Sequence, residues 1–249
     1  MKKTSYAAVL SFILLLGDSY FNNSIANQNI PINKPLRFNP PNNGAPKGSR
    51  SSTNSGSRDD CPIEAKRITA LIPKTNWGNT LSERPKFWFY IPYKQGTLML
   101  IIKDEDTGNI VARDNYHISK GGGIMGFPIP KNLPALEVNR TYLYRVYFSC
   151  NPNIQVSLTE VQGIVKRVGM NENLKNKLTS ATTIKEKIHL YANEGLWYEV
   201  ITELIESRRS KPLDQELDKY WSDLLSDSDV ELEDLISEPL IDCCSYISE

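Results

Sequence analysis

The clearest pattern in the chain is a β-hairpin, which reads TLMLIIKDEDTGNIVARDNYHI over residues 97–118. Leu98, Leu100 and Ile102 alternate with other side chains, so they share one face of an extended strand. The residues that follow, Asp106-Thr107-Gly108-Asn109, favour a tight turn between two strands. The stretch therefore predicts two neighbouring strands with one buried face.

Short apolar runs separated by turn residues continue on both sides of this hairpin, over residues 61–169. Their spacing is typical of an immunoglobulin-like β-sandwich of about seven strands. The candidate strands are Arg67–Ile72, Lys86–Ile91, Thr97–Lys103, Ile110–Ile118, Ile124–Ile129, Thr141–Ser149 and Ile154–Val168. We expect the apolar faces, including that of Tyr142, Tyr144, Val146 and Phe148, to meet in the core.

The apolar spacing becomes helical over residues 170–249, which predicts a small α-helical tail and a fold that is α+β by region. Gly195 permits a turn between two helices, and Pro212 ends the second of them. A fourth, short helix is expected at about residues 231–236. The apolar helical positions are Ile184, Ile188 and Tyr191, then Leu196, Trp197, Val200, Ile201 and Leu204, then Leu217, Tyr220, Trp221, Leu224 and Leu225.

The N-terminus has the pattern of a secretory signal over residues 1–26. Lys2 and Lys3 precede an apolar run, and Ser24-Ile25-Ala26 provides the small residues that a signal peptidase recognises. We therefore expect a periplasmic or extracellular protein with no transmembrane segment after cleavage, because the run is shorter than the roughly 20 residues of a membrane span. An uncleaved N-terminal anchor is the alternative.

The chain of 249 residues has a formal net charge of +0, but basic and acidic residues are unevenly distributed. Residues 27–60 are rich in Pro, Asn, Gly and Ser and contain few apolar side chains, so we expect a disordered linker there, with an adaptable contact segment as the alternative. Its basic residues lack interleaved aromatic residues, which indicates solubilising charges and no nucleic-acid partner. These basic residues are Lys34, Arg37, Lys47, Arg50 and Arg58.

Four cysteines become disulfide candidates in an oxidising compartment: Cys61, Cys150, Cys243 and Cys244. We favour a bridge between Cys61 and Cys150, which would close a loop of about 90 residues and stabilise the fold by roughly 4 kcal/mol. Cys243 and Cys244 could bridge each other, could fix the C-terminus to the body, or could link two chains. A zinc site is not expected, because no C-x-x-C spacing is present and both histidines lie far from any cysteine.

The residues favour a protein that is not an enzyme, although they leave the question open. The chain has only His117 and His189, no G-x-S-x-G motif, and no complete calcium or phosphate loop, so we expect no catalytic residue, metal or cofactor. Each histidine is expected to be a surface or capping residue. The acidic cluster over Asp223–Asp234 is expected to be a solvated helix face, with a cation or basic-partner site as the alternative.

Four aromatic residues in succession occupy the strand at Phe87–Tyr90. If Phe87 and Phe89 point into the core, Trp88 and Tyr90 point to the other face, towards solvent, the helical tail or a ligand such as a glycan. Trp88, Tyr90, Trp197 and Trp221 are therefore the candidate binding residues. The alternative is that Trp197 or Trp221 of the tail simply covers the strand.

Several motifs together carry a family resemblance. They are Leu81–Pro85 followed by Phe87–Tyr93, then Tyr142–Cys150, Val161–Val165, Glu194–Tyr198 and Cys243-Cys244. In this order they resemble the cyanobacterial family known as domain of unknown function 928. The resemblance implies export and this layout, and it implies no catalytic residues because the family has no assigned activity.

The tail also resembles part of a tetratricopeptide repeat, with packing and turn residues at that motif's spacing: Tyr191, Gly195, Trp197, Val200, Leu204 and Pro212. Ile188 and Ser207 depart from the small residues usual at their positions. A single repeat rarely stands alone, so we expect it to pack against the sandwich.

These observations favour an exported, non-enzymatic binding or assembly module of the cell envelope, in which the sandwich is a scaffold and the tail contacts an envelope protein or a glycan. Two other functions stay open. One is a hydrolase of envelope polymers that uses carboxylates such as Glu83, which could instead pair with a neighbouring arginine. The other is a purely structural envelope protein.

Overall fold

The hairpin at residues 97–118 lies within a six-stranded sheet in the computed structural model. The structure describes residues 34–42, 48–51, 61–62, 64–151, 159–242 and 245–246. The strands are β1 (Thr69–Ala70), β2 (Trp77–Thr80), β3 (Lys86–Ile91), β4 (Gly96–Asp104), β5 (Ile110–Ile118), β6 (Gly123–Pro128), β7 (Thr141–Ser149), β8 (Thr159–Arg167) and β9 (Ser245–Tyr246). The helices are α1 (Glu172–Ser180), α2 (Ile184–Asn193), α3 (Trp197–Ser210) and α4 (Gln215–Leu225), followed by a 3₁₀ helix at Glu233–Leu235.

Two sheets face each other across an aromatic core. The larger has the order β2-β8-β7-β4-β5-β9 and the smaller the order β1-β3-β6. The ring centroids of Phe87 and Tyr144 are 4.9 Å apart, and those of Phe127 and Tyr116 are 5.0 Å apart, so each contact joins the two sheets. The described residues therefore form a β-sandwich followed by a helical tail, which confirms the predicted fold class.

The alternating residues of the hairpin face this core. The cross-strand pairs are Leu98 with Phe148, Leu100 with Val146 and Ile102 with Tyr144. All six side chains are buried. Opposed side chains in neighbouring strands stabilise a sheet by direct contact. The apolar faces predicted for β4 and β7 thus form one continuous surface of the larger sheet.

Strand boundaries agree with the sequence prediction where alternation or aromatic content is strong. The predicted bounds of β3, β5 and β7 are those of the structure. The predicted first strand is reduced to the two residues of β1, and the start of the predicted last strand lies outside the described residues. The strands β2 and β9 were not predicted, because WGNT and SY lack a strand pattern.

The strand β2 is explained by tertiary contacts rather than by its own residues. It pairs in parallel with β8, from Trp77 opposite Ile164 to Thr80 opposite Arg167. A Cβ atom at Gly78 would lie 2.6 Å from the Tyr198 ring, so only glycine lets α3 approach this strand so closely.

The helical hairpin predicted around Gly195 is present as α2 and α3. Thr183 and Glu186 form a capping box at the start of α2. Gly195 has a φ of +68°, the left-handed conformation that favours glycine between the two helices. The helix α1 was not predicted, because it is largely polar and Leu174 is its buried residue.

The tail packs against the sandwich, as expected for an incomplete repeat. The Trp88 indole of β3 donates a hydrogen bond to the Thr202 hydroxyl of α3 at 2.9 Å. The Trp197 indole of α3 donates to the Leu71 carbonyl at 2.8 Å. Residues 33–249 accordingly form one compact unit.

We expected a disordered linker over residues 27–60, and this expectation is wrong for the two segments described there, residues 34–42 and 48–51. Leu36 and Phe38 are buried, and the residues around them lie along the tail. Three prolines, at positions 35, 40 and 41, restrict the backbone to extended conformations and so reduce the entropy lost on ordering. We call residues 34–42 the N-terminal arm.

The second ordered segment, residues 48–51, joins the two sheets. The Ser49 carbonyl accepts a hydrogen bond from the Gln162 N–H of β8, and the Arg50 carbonyl accepts one from the Ala70 N–H of β1. The Arg50 guanidinium donates to the carbonyls of Ile72 and Val230. Arg50 is therefore a structural cation and not a solubilising charge.

The favoured disulfide is present. Cys61 and Cys150 are bonded, with their Cα atoms 5.1 Å apart and 89 positions between them in the sequence. Cys243 and Cys244 lie outside the described residues, as does the predicted signal over residues 1–26. None of the helices in the described part of the chain is long and apolar enough to cross a bilayer.

Replacing both Cys61 and Cys150 with serine should lower the free energy of unfolding by about 2–5 kcal/mol, because the unfolded chain loses a constraint on a long loop. Urea unfolding of the oxidised protein and of the double variant measures this difference. Adding a reductant should weaken the native protein more than the double variant, which keeps only Cys243 and Cys244. An equal midpoint for the two proteins would contradict the structural role of the bridge.

Candidate functional site

The N-terminal arm occupies a groove on the helical tail, and it binds there in extended form. Its side chains alternate between buried and exposed, with Leu36 at 0% and Phe38 at 4% exposure between exposed Pro35, Arg37 and Asn39. This period of two is that of a strand, although no strand of either sheet pairs with the arm in the described residues. The arm therefore contacts the tail as an extended peptide would.

Two acidic side chains of the tail recognise the main chain of the arm. The Asp223 Oδ2 atom of α4 accepts the Leu36 N–H at 3.3 Å, and the Asp227 Oδ2 atom accepts the Phe38 N–H at 3.2 Å. The Arg37 guanidinium lies 3.7 Å from the same Asp227 oxygen. Hydrogen bonds to ionised acceptors are stronger than those between neutral groups. The acidic cluster was expected to be solvated, and these two members instead bind the arm.

The end of α2 supplies the other wall of the groove. The Asn39 N–H donates to the Ala192 carbonyl at 3.0 Å, and the Asn39 amide donates to the Asn193 carbonyl at 3.2 Å. A Cβ atom at Gly195 would lie 2.9 Å from the Asn39 carbonyl oxygen and 3.0 Å from Pro41. Glycine at the α2–α3 turn is thus required both by its φ and by the close approach of the arm.

Trp197 forms the floor of the groove. Its ring centroid lies 5.0 Å from that of Phe38, edge to face, and its side chain is fully buried. We define the arm groove as Ala192, Asn193, Gly195, Trp197, Asp223 and Asp227. Of the four predicted binding residues, Trp197 is the one that the arm contacts here.

Trp88 lies under the tail rather than on an open surface. It is 2% exposed, its indole donates to Thr202, and the cations of Lys86 and Arg209 lie 5.1 and 5.3 Å from its ring centroid. A cation over an aromatic face adds to the packing. The tail therefore covers Trp88 through Thr202 and Arg209 of α3, whereas the alternative expectation was cover by Trp197 or Trp221.

Tyr90 is also buried where the sheet meets the tail, and Trp221 is buried within the tail. Burial and the neighbouring carboxylate of Glu238 raise the pKa of Tyr90 to about 12. The Trp221 indole donates to the Ile236 carbonyl at 3.0 Å, and Arg208 lies 4.9 Å from its ring centroid. A ligand would reach Trp88, Tyr90 or Trp221 only if the residues around them moved, so their role in binding stays a prediction.

His189 is buried beside the arm, so the expectation of a surface or capping residue is wrong. Its ring lies 5.0 Å from that of Tyr220, and its Nε2 atom has no hydrogen-bond partner among the described residues. Desolvation lowers the pKa of His189, and the Lys34 ammonium of the arm lowers it further, while Glu216 and Asp223 act in the opposite direction. Because the Lys34 ammonium is positively charged, the docked arm favours the neutral imidazole of His189.

Glu199 has an enclosed carboxyl group in the first turn of α3. Its Oε1 atom accepts hydrogen bonds from the Thr80 hydroxyl and the Leu81 N–H, both at 2.8 Å, and from the Ser82 N–H at 3.2 Å. Its Oε2 atom is buried without a partner in the part of the chain that the structure describes. Burial raises the pKa of Glu199, although these donors oppose the shift. The residue fixes the chain after β2 against the tail.

A polar cleft of about 320 Å³ lies between residues 50–51 and 65–69 on one side and the end of the tail on the other. The Lys66 ammonium donates to the Asp234 carbonyl and pairs with Glu238, which holds one wall of the cleft. Both charge signs line it, so the cleft favours no single ligand charge. Its lining residues are Arg50, Ser51, Ala65, Lys66, Arg67, Thr69, Glu231, Leu232, Glu233, Asp234 and Leu235.

The remaining candidates have local structural contacts. Glu83 is largely exposed and lies 4.0 Å from Arg84, the ion pair that was the alternative to a catalytic role. His117 is exposed near the end of β5. The Asp104 Oδ1 atom accepts the N–H groups of Asp106 and Thr107, so this loop is the expected hairpin turn. No group of three or more His, Cys, Asp or Glu in the described ranges could hold a metal ion.

Sequence reasoning gave a contact segment only as the alternative to a linker, and it missed the two aspartates that bind the arm. The available signal was the alternation of Leu36 and Phe38 between prolines, which is typical of an extended segment with one buried face. It was too short to outweigh the polar composition around it. The role of Asp223 and Asp227 had no signal, because the donors they bind are main-chain groups nearly 190 positions away.

Comparison with known proteins gives a family and no activity. A model of the family described as Domain of Unknown Function (DUF928) matches residues 48–240, so the chain belongs to this family. The match contains the whole arm groove and begins after the arm. No curated protein and no solved structure matches the chain.

Replacing Glu199 tests its structural role. Glu199→Ala should lower the free energy of unfolding by about 1–3 kcal/mol or more, because three donors lose their acceptor. Because folding raises the pKa of Glu199, its carboxyl contributes its full stability below the pKa that it has in the unfolded chain. This contribution falls as pH rises through the pKa of the folded state. Glu199→Gln keeps the acceptor and cannot ionise, so its unfolding free energy should lack this fall. Urea unfolding across pH 4–8 measures both, and parallel curves for Glu199→Gln and the native protein would contradict the assignment.

Replacing His189 with phenylalanine should reduce the pH dependence of the unfolding free energy between pH 7 and pH 5. Because the pKa of His189 is lowered on folding, its contribution is present above its unfolded pKa of about 6.5 and is lost as pH falls below that value. The native protein should therefore lose stability between pH 7 and pH 5 relative to His189→Phe, by urea unfolding. In Lys34→Ala the loss should be smaller, since one repelling cation is absent. An equal loss in all three proteins would show that His189 does not titrate against the arm.

Proposed function

We propose that this member of the family is an exported, non-enzymatic binding or assembly module of the cell envelope, whose helical tail binds extended segments. The observation that supports this most is the arm in its groove. Two carboxylates and one carbonyl of the tail accept three main-chain N–H groups of the arm, from Leu36, Phe38 and Asn39. Recognition through main-chain groups accepts different sequences, while buried alternate side chains give selectivity.

The sandwich would act as the scaffold of this module. Trp197 links the groove to the sandwich, since its indole donates to the Leu71 carbonyl while its ring contacts Phe38. A rigid base keeps a groove open and so lowers the entropic cost of binding. The tetratricopeptide-like spacing of the tail agrees with this division, because such repeats usually present a partner surface.

Export is supported by two features of the chain. The first is the signal pattern at residues 1–26. The second is the bond between Cys61 and Cys150, since disulfides persist in oxidising compartments such as the periplasm or the cell exterior. An envelope protein or a glycan of that compartment is the proposed partner.

Binding should depend on the arm groove. Full-length protein with Leu36→Ser and Phe38→Ser should leave the groove empty, because serine gives up the apolar burial that holds the arm, about 1.5–3 kcal/mol for each side chain. We expect this variant to bind isolated envelope fractions saturably and at least several-fold more than the native protein, as measured by quantitative pull-down with crosslinking.

The matched control is Ile110→Ser, which changes an exposed apolar residue at the start of β5 and should bind as the native protein does. Equal, non-saturable retention of all three proteins would instead favour a purely structural role. Turnover of cell-wall glycan or peptide by the purified mature chain, lost in Glu83→Gln without a change in melting temperature, would favour the hydrolase.

A further inference from the structure

We propose that the arm groove also accepts the arm of a second copy of this chain, so that the protein assembles by exchanging N-terminal arms. This inference rests on the proposed function, because it names one partner for the same groove. The occupant is already known in chemical terms: an extended segment with Leu36 and Phe38 on one face and three main-chain N–H donors. A second copy carries this segment unchanged.

The arm is attached to the body as a separate unit. Among the described residues that follow the arm, Ser49 and Arg50 form main-chain hydrogen bonds with the two sheets. The five residues between Asn42 and Gly48 span at most about 20 Å when extended. The hydrogen bonds of Leu36, Phe38 and Asn39 all go to the tail, so the arm can leave the groove without breaking a hydrogen bond of either sheet.

The contacts that dock the arm are the same within one chain and between two chains. Burial of Leu36 and Phe38 favours docking in both cases. Pro35, Pro40 and Pro41 reduce the entropy that the arm loses on ordering in both cases. Docking within one chain is therefore favoured over docking in another by the tether, whose effective concentration is about millimolar.

A second copy offers the same contacts without that tether. At about 0.1 mM protein against a millimolar effective concentration, on the order of one arm in ten should be docked in another chain. Two copies that exchange arms reciprocally leave no groove empty, and the interface is then the same on both subunits. Local enrichment in an envelope would raise this fraction in proportion to concentration.

Charge supports the same occupant. The Arg37 guanidinium of the arm lies 3.7 Å from Asp227 of the groove. Oppositely charged surfaces that meet in this way favour correct encounter of two molecules. The segment is thus suited to the groove in side chains, main chain and charge.

The experiment mixes two full-length copies with different tags and one new cysteine each. Asn39→Cys is placed on the arm of one copy, and Asn193→Cys on the groove of the other, because the Asn39 amide lies 3.2 Å from the Asn193 carbonyl. Both residues are exposed, so the fold should tolerate the changes. The copies are unfolded and refolded together at about 0.1 mM and treated briefly with a short bis-maleimide. Mass spectrometry then identifies the 39–193 cross-link.

We expect a covalent heterodimer through positions 39 and 193. Its yield should fall about tenfold when the mixture is refolded at tenfold lower concentration. Adding Phe38→Ser to the arm copy should reduce it by at least about a hundredfold, because the main apolar contact is lost. Arg113→Cys on β5 replaces Asn193→Cys in the matched control. It should give no specific cross-link, since β8, β7 and β4 separate β5 from β2, the strand on which α3 packs.

A single chain with both Asn39→Cys and Asn193→Cys reports docking within one copy. If this chain cross-links internally while the mixed copies give no more heterodimer than the Arg113→Cys control, arms do not exchange and the proposal is wrong. Saturable, groove-dependent binding of envelope material would still support the proposed function in that case. If the single chain does not cross-link either, the arm does not occupy its groove in solution, and both proposals lose their basis.

Discussion

The position of the tail depends on the burial of one side chain, Trp197. A buried indole needs a partner for its N–H, and here the partner is the Leu71 carbonyl next to β1. The same residue approaches β2, since a Cβ atom at Gly78 would lie 3.2 Å from the Trp197 Cβ. Its ring also contacts Phe38 of the arm. Both sheets and the arm therefore meet at the start of α3, and the groove exists because this helix is held there.

Local patterns in the sequence were sufficient wherever a segment carries its own periodicity. The bounds of β3, β5 and β7 followed from alternation and aromatic content, and Gly195 marked the turn between α2 and α3. The strand β2 could not be predicted, because Gly78 and Asn79 are poor strand residues that are ordered by pairing with β8 and by contact with α3. Tertiary contact decided the structure of that segment.

The candidate site was less predictable than the fold for a related reason. Composition alone treats Pro35 and Arg37 as signs of disorder, yet the prolines reduce the entropy that folding must overcome and Arg37 lies beside a carboxylate. Two apolar residues are then enough to hold the arm. The acidic residues of α4 were expected to form a solvated face because their partners, main-chain N–H groups, leave no trace in a sequence. A charge pattern in a sequence shows where an ion pair is possible. It does not show which donor group a carboxylate will bind.

The enclosed carboxyl of Glu199 shows why a perturbed pKa in this protein fits a structural role. A catalytic carboxyl needs a raised pKa together with access for a substrate. At Glu199 the burial that raises the pKa also encloses the carboxyl between Thr80, Leu81 and Ser82, all of which donate to one oxygen. The acid thus fastens the end of β2 to the first turn of α3, the same turn that carries Trp197. The polar and the apolar contacts of this turn act together, because Glu199 fixes the edge of the larger sheet to α3 and Trp197, in the same turn, forms the floor of the groove.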